Sequence, residues 1–305
     1  MPASFIDKNL DKEDFLFSGW LRRVSARWQG SGDGAEMTPE EALRTLWLSV
    51  CSNESMTSEE LPALEGDQIE RLEDFVSALE NGVPLAHLTG RATFMGLELR
   101  SGPGALIPQR ETELLGARAL VILRELVQQR GSAIVFDLCT GAGNLALGLA
   151  HAEPNCRVFA TDLSEEAAAL ARQNAEHLKL SDRLEILAGD LFAPLTASSR
   201  AGAADLIVCN PPYISSAKVD EMPRAVSRCG PRLAFDGGPY GLNILSRLVR
   251  ESPAHLKPES FLCFEVGAGQ GPCLLRLMQK MPEYAEVQTA SDPQGTVRVL
   301  IGRTG

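Results

Sequence analysis

Apolar residues recur along this chain in two different rhythms, and the change of rhythm divides it. In TPEEALRTLWLSVCS, Leu43, Leu46, Trp47 and Val50 stand at i, i+3, i+4 and i+7, one face of a helix. Thr38 precedes them as an N-cap, Pro39 takes the first helical position, and Glu41 sits three residues from the cap, the spacing of a capping box. Ile69, Leu72, Phe75, Val76 and Leu79 form a second stripe within TSEELPALEGDQIERLEDFVSALENG, which reads as a loop, a helix and a closing ENG stop. The Gly- and Ser-rich QGSGDGAE reads as an internal loop of this helical part.

From PLAHLTGRATFMGLELRSG onward the period changes, and Phe94, Leu97 and Leu99 among polar and glycine residues predict a β-hairpin. After it, AIVFDL, RVFATD, LEILAGD, DLIVCN, SFLCFEVG and TVRVLIG predict strands, while NLALGLAHA and SEEAAALARQNAEHL predict helices. Strands apolar on both faces, alternating with helices, imply a parallel sheet covered by helices. The expected architecture is α/β: a doubly wound sheet over residues 109–305, a hairpin linker over 83–108 and a small helical domain over 1–82.

Composition narrows the classes. Of 305 residues 44% are hydrophobic and 23% charged, the balance of a soluble globular protein. No apolar run reaches the ~20 residues of a membrane span. The opening MPASFIDKNLDKEDFLF lacks a basic stretch followed by an apolar one, so no secretory signal is expected. Seven cysteines, an odd number without CxxC or Cys/His clusters, point to reduced thiols in a cytoplasmic setting and away from structural zinc. His87, His151, His177 and His255 are scattered without metal-like spacing. A net charge of −11 opposes a nucleic-acid partner, and the small basic run RRVSAR reads as a solvated helix face.

The chemistry gathers at the strand tips. AIVFDL ends in Asp137 and passes through Thr140, Gly141 and Gly143 into a helix, whose first amides are free to meet a ligand. FATD ends in Asp162, placed to grip two ribose hydroxyls, while Ser164 caps the helix that follows. LAGDLF puts Asp190 at a third tip, where it can accept from an adenine amino group. The loop lacks the lysine of a phosphate-binding P-loop, and CTGAGN departs from the G-x-G-x-x-G of NAD sites. Three carboxylates without a phosphate cradle suit S-adenosylmethionine (SAM), a nucleoside with a cationic tail.

At a fourth tip DLIVCNPPYI ends a buried strand in Asn210, Pro211, Pro212 and Tyr213. Asn210 offers a carbonyl acceptor, Pro211 cannot donate, and two fixed acceptors suit a planar –NH2 group on which Tyr213 can stack. An amide nitrogen is a poor nucleophile, so orientation carries much of such a reaction. The pattern points to methylation of an amino or amide nitrogen.

Asp137-x-x-Thr140-Gly141-x-Gly143, TDLS, GDLF and NPPYI resemble the HemK/PrmC family, N5-glutamine methyltransferases of peptide-chain release factors. PLAHLTGRATFMGLELRSGPGALIPQRETELL is similar to that family's linker, and GPRLAFDGGPYGLNILSRLV, FEVGAGQ and DPQGTVR to its C-terminal pattern. The resemblance covers residues 80–305. It implies a class I, Rossmann-like methyltransferase domain behind a helical domain, and as substrate the glutamine side chain of a release factor's Gly-Gly-Gln motif. It further implies that Asn210 and Pro211 bind the amide, that Tyr213 packs beside it, and that Asp162 holds the ribose. Three positions depart. The family's IPRPETE is here Ile107-Pro108-Gln109-Arg110-Glu111-Thr112-Glu113, its first loop glycine is Cys139, and the glutamate of its YEP is Gly230. These departures leave open a relative acting on a small amine, an amino acid or SAM itself. Adenine-amino methylation of nucleic acid shares the NPPY logic but is opposed by the charge. A SAM-binding protein without catalysis would need a spoiled acceptor site, and Asn210 is intact.

Overall fold

The computed structural model describes residues 8–28, 30, 37–51 and 61–305. The extreme N-terminal stretch, all but Gly30 of the QGSGDGAE loop, and the TSEE that leads into the second stripe lie outside the described residues. The chain divides into two compact units, residues 1–90 with 224–229, and residues 91–223 with 230–305.

The first unit holds α1 (Lys8–Arg27), α2 (Pro39–Val50), α3 (Gly66–Glu80) and α4 (Leu85–Thr89). Thr38 and Glu41 close the capping box, with the Thr38 amide donating to the Glu41 carboxylate at 2.7 Å. Leu43, Leu46, Trp47, Leu72 and Val76 are buried together with Trp20 and Val24 of α1. Arg23, expected on a solvated face, lies half-buried across α3 instead. It meets Glu73 at 2.5 Å and Glu80 at 2.7 Å, because those acids and Ser77 share one face of α3, and Trp20 Nε1 donates to Glu73 beside it. The expectation of a hairpin from residue 83 is corrected at its start. Residues 85–89 are helical, because Leu85 and Ala86 are buried on the unit's core and Gly90 (φ 70°) supplies a left-handed stop.

The hairpin itself, β1 (Arg91–Phe94) and β2 (Leu97–Arg100), groups with the second unit. Its two-residue turn, Met95 (φ 48°) and Gly96 (φ 78°), has both positions left-handed, as a tight hairpin of this twist requires. Met95 then plugs a slot. A Cβ on Gly116 of α5 (Glu113–Arg130) would stand 2.6 Å from its sulfur, and one on Gly148 of α6 (Asn144–Ala152) 2.8 Å.

The remaining elements are β3 (Ala133–Leu138), β4 (Cys156–Asp162), α7 (Glu165–His177), β5 (Leu184–Ala188), β6 (Ala204–Cys209), β7 (Leu256–Glu265), β8 (Tyr284–Ser291) and β9 (Val297–Thr304). They build a seven-stranded sheet in the order β5-β4-β3-β6-β7-β9-β8. β5, β4, β3, β6 and β7 run parallel, but β9 pairs antiparallel with both β7 and β8, so the sheet is mixed, not wholly parallel. The apolar pattern does not announce β8, because it lies at the sheet edge and buries only Tyr284 and Ala290 of YAEVQTAS. Apolar clusters cover both faces of the sheet. The chain winds outward from β3 to β5 on one side, then resumes at β6 on the other. At that reversal β3 and β6 stay paired to their last residues, Leu138 and Cys209, and the crevice lies beyond their carboxyl ends, where the following loops turn away from each other.

Candidate active site

The crevice opens into a cavity lined by Asp137, Thr140, Gly141, Asp162, Asp190 and Asn210, together with Thr112, Asn144 and Asp236. Asp137, at the end of β3, is buried. Its Oδ2 accepts from the Thr140 hydroxyl at 2.6 Å and from the Ala146 amide at 3.0 Å, tying the loop and α6 to the strand. Burial pushes its pKa up to about 7 against those two bonds, which favour the anion. Its Oδ1 is buried without a partner, and so is Oδ1 of Asn144 at the first turn of α6.

The glycines of the loop serve different ends. A Cβ on Gly141 (φ 58°) would meet nothing within 4 Å, so backbone there faces open space. Gly143 does not line the cavity. At φ 90° its Cβ would stand 2.8 Å from Leu147 and 3.2 Å from Ala171, so this glycine lets α6 pack closely. Cys139, which replaces the family's first loop glycine, keeps the left-handed conformation (φ 56°) with a side chain on it.

Asp162 ends β4. Its Oδ2 accepts from the Gly141 amide at 2.8 Å and its Oδ1 from the Ser164 amide at 2.9 Å, while burial raises its pKa. Ser164 caps α7 through the Ala167 amide at 3.2 Å, as the sequence predicts. Asp190 stands at the rim and is already paired, 2.9 Å from Arg247. The described lining carries carboxylates at Asp137, Asp162, Asp190 and Asp236 and no lysine or arginine. Unpartnered buried acceptors, an unfilled glycine face and a lining without lysine or arginine fit a cationic ligand without phosphates.

Beyond β6, Asn210 donates from Nδ2 to Thr112 Oγ1 at 2.8 Å. The Tyr213 hydroxyl donates to Oε1 of Glu265, the last residue of β7, at 3.1 Å, and the Thr112 hydroxyl lies near the same carboxylate, whose Oε2 is buried without a partner. Glu265 is only 2% exposed, and burial raises its pKa although both hydroxyls favour its charge. Pro212 lines the cavity, whereas Pro211 is buried and Tyr213 stands outside the lining residues. The C-terminal motifs hold this loop. Gln270 Nε2 donates to the Tyr213 carbonyl at 2.8 Å, and a Cβ on Gly237 would lie 2.6 Å from the Pro212 carbonyl. FEVGAGQ and FDGGPYGLN are therefore scaffolding for NPPY.

The other departures also have places. A Cβ on Gly230 would lie 2.8 Å from the Leu106 Cα, so its segment is pressed against 104–106, which lines the cavity. Gln109 folds back to donate to the Ile107 carbonyl at 2.8 Å, and Arg110 is exposed outside the lining. Thr112, Asn144 and Glu265 were missed as site residues. Glu265 did carry a signal, as an acid closing the apolar run SFLCF.

The family described as methyltransferase small domain matches residues 116–238. A release factor glutamine methyltransferase of Moorella thermoacetica is 38% identical over 220 residues, 72% of this chain and 75% of that protein. The chain belongs to the release factor glutamine methyltransferase family. A ribosomal protein uL3 glutamine methyltransferase of Xylella fastidiosa is 36% identical over 66% of this chain and 60% of that protein. In fold, the family member resembles the hMettl16 catalytic domain, solved in complex with MAT2A 3'UTR hairpin 6, at a TM-score of 0.53 and 15% identity, covering 78% of this chain and 82% of that one. The methyltransferase fold accounts for the sheet order and for the crevice beyond the ends of β3 and β6. Among the described residues no helix is long and apolar enough to cross a membrane.

Proposed function

We propose that the cavity binds SAM and that the enzyme methylates the side-chain amide of the glutamine in a release factor's Gly-Gly-Gln motif. The observation that carries this reading is the direction of the Asn210 amide. Its nitrogen is committed to Thr112, which leaves its carbonyl to accept from an –NH2 group. Bound SAM supplies an electrophilic methyl group on a sulfonium centre. Asp162, with both oxygens already aligned by backbone amides, holds the ribose hydroxyls, and Asp190 at the rim accepts from the adenine amino group. Asp137 and Thr140 brace the loop, Gly141 lets its backbone approach the cofactor, and the free Oδ1 atoms of Asp137 and Asn144 receive cationic donors. Asn210 orients the substrate nitrogen, Pro211 and Pro212 stiffen the loop without competing N–H donors, and Tyr213 packs beside the amide. Orientation of a weak nucleophile, rather than proton abstraction, is the main contribution of these side chains. The helical domain, residues 1–82, supplies contacts to the release factor, and cytoplasm is the setting.

The pressed contact of Gly230 on Leu106 favours one second reading, a small amine admitted through a narrowed mouth. Incubation with radiolabelled SAM and, separately, release factor, ribosomal protein uL3 and a mixture of small amines tests the choice. Label in release factor is expected. Label only in the amine fraction would replace the protein substrate by the second reading.

A further inference from the structure

We propose that the helical unit carries a recess for the carboxylates of an acidic segment on the protein substrate, built from Arg27, Arg224 and Arg228. The inference rests on the reading that this substrate is a release factor, and it gives a use to the RRVSAR run, whose Arg27 ends α1.

The recess is a second cavity, of about 370 Å³, that shares no lining residue with the proposed SAM cavity. It lies wholly within the first unit, among the end of α1, the residues that close α3, and the short helix Arg224–Ser227 with Arg228 behind it. Three arginines and one acid line it. The acid is already satisfied, since Arg23 grips both oxygens of Glu80, from Nε at 3.2 Å and from Nη2 at 2.7 Å. Arg228 gives Nη1 to the Asn81 carbonyl just past α3, which ties residues 224–229 to that helix. Arg27 and Arg224 are exposed, and among the described residues neither has an ion pair or a side-chain hydrogen bond. Two uncommitted guanidinium groups therefore share one recess in a chain of net charge −11. Like charges held together repel, and an anion between them relieves that repulsion. The other lining donors are spent, as Trp28 Nε1 donates to the Met37 carbonyl at 3.0 Å and Asn81 Nδ2 to the Ser77 carbonyl at 2.8 Å. What remains is the paired N–H fork of arginine, which matches a carboxylate, beside the apolar bodies of Trp28 and Pro84, which can take the stem of an aspartate or glutamate. A nucleic-acid backbone suits the recess less, because the acidic chain repels it along its length.

Steady-state kinetics with release factor as the varied substrate test this. Arg27→Gln combined with Arg224→Gln removes both uncommitted charges and no bond within the protein. It is expected to raise KM for release factor about tenfold, with kcat and SAM affinity each within about twofold of wild type, as loss of a charge-assisted contact remote from the chemistry does. Arg27→Lys combined with Arg224→Lys should recover part of the loss, since it returns the charge without the fork. KM of the wild type should climb between about 50 and about 200 mM salt more steeply than that of the glutamine variant. Arg22→Gln takes one charge from the same basic run outside the recess, and unlike Arg27→Gln alone it should leave KM in place. An unmoved KM in the double glutamine variant, or an equal rise in Arg22→Gln, overturns the proposal. So does an unmoved KM together with RNA binding that the wild type shows and the double variant loses, which would assign the recess to phosphate. A wild type that never methylates release factor refutes the substrate reading and this inference with it. Wild-type methylation with an unmoved variant refutes this inference alone.

Discussion

Cys139 carries a side chain in a left-handed backbone conformation that costs an L-residue roughly 1–2 kcal/mol, a cost glycine escapes. Cys139→Gly should therefore stabilise the protein by about 1 kcal/mol, less the entropy that glycine returns to the unfolded chain. Urea unfolding reads the gain as a higher midpoint at unchanged slope, and a lower midpoint would show that the thiol contributes more than its backbone costs. Asp137 gives a pH dependence of unusual sign. Folded, it takes up its proton at about pH 7, against 3.8 for a free aspartate, so between those values the native state binds the extra proton. The cofactor-free protein should lose stability from this group as pH rises through that window, and Asp137→Asn should flatten that loss. Unfolding midpoints at about pH 5 and about pH 8 measure it, and an unchanged slope in the variant would remove Asp137 as the cause. Asp137 and Asp162 were legible in the sequence because each ends an apolar run. Thr112 was not, because its meaning depends on Asn210, 98 positions away.

Among the elements, the hairpin shows how sequence pattern and packing divide the information. Alternation and a Met-Gly turn announce two strands, but nothing local says that Met95 will fill the slot left by Gly116 and Gly148. That slot attaches the hairpin to α5 and α6, and the Met95 amide donates to Glu113 at 2.8 Å, just after Thr112. Met95→Ala should cost about 2 kcal/mol as an unfilled core site does, read by chemical unfolding. A cost near zero would mean that the hairpin docks by its strands alone. Elements with a buried stripe were legible, from α2 with its capping box to β3, β4 and β6. Those decided by tertiary context were not. α4 follows from the burial of two residues beside a proline, β8 pairs as an exposed edge, and Arg23 lies half-buried across α3 because two acids of that helix face it.

In the molecule as a whole, the winding of the sheet brings separate strand tips to one crevice, and the C-terminal glycine motifs brace its acceptor loop. Asp162 stands at the centre of the proposed cofactor half. Its loss should remove charge-assisted bonds worth roughly 1.5–3 kcal/mol each, so Asp162→Ala should weaken SAM binding by about tenfold or more in calorimetry. Unchanged affinity would move the cofactor elsewhere. The central claim is narrower, that the nitrogen methylated is the glutamine amide of a release factor. Site-resolved mass spectrometry of a release factor incubated with this enzyme and SAM tests it directly. One added methyl group on the Gly-Gly-Gln peptide, absent when Asn210→Ala replaces the wild type, is the predicted result, and an unmodified peptide from a reaction in which SAM is shown to be bound would contradict it.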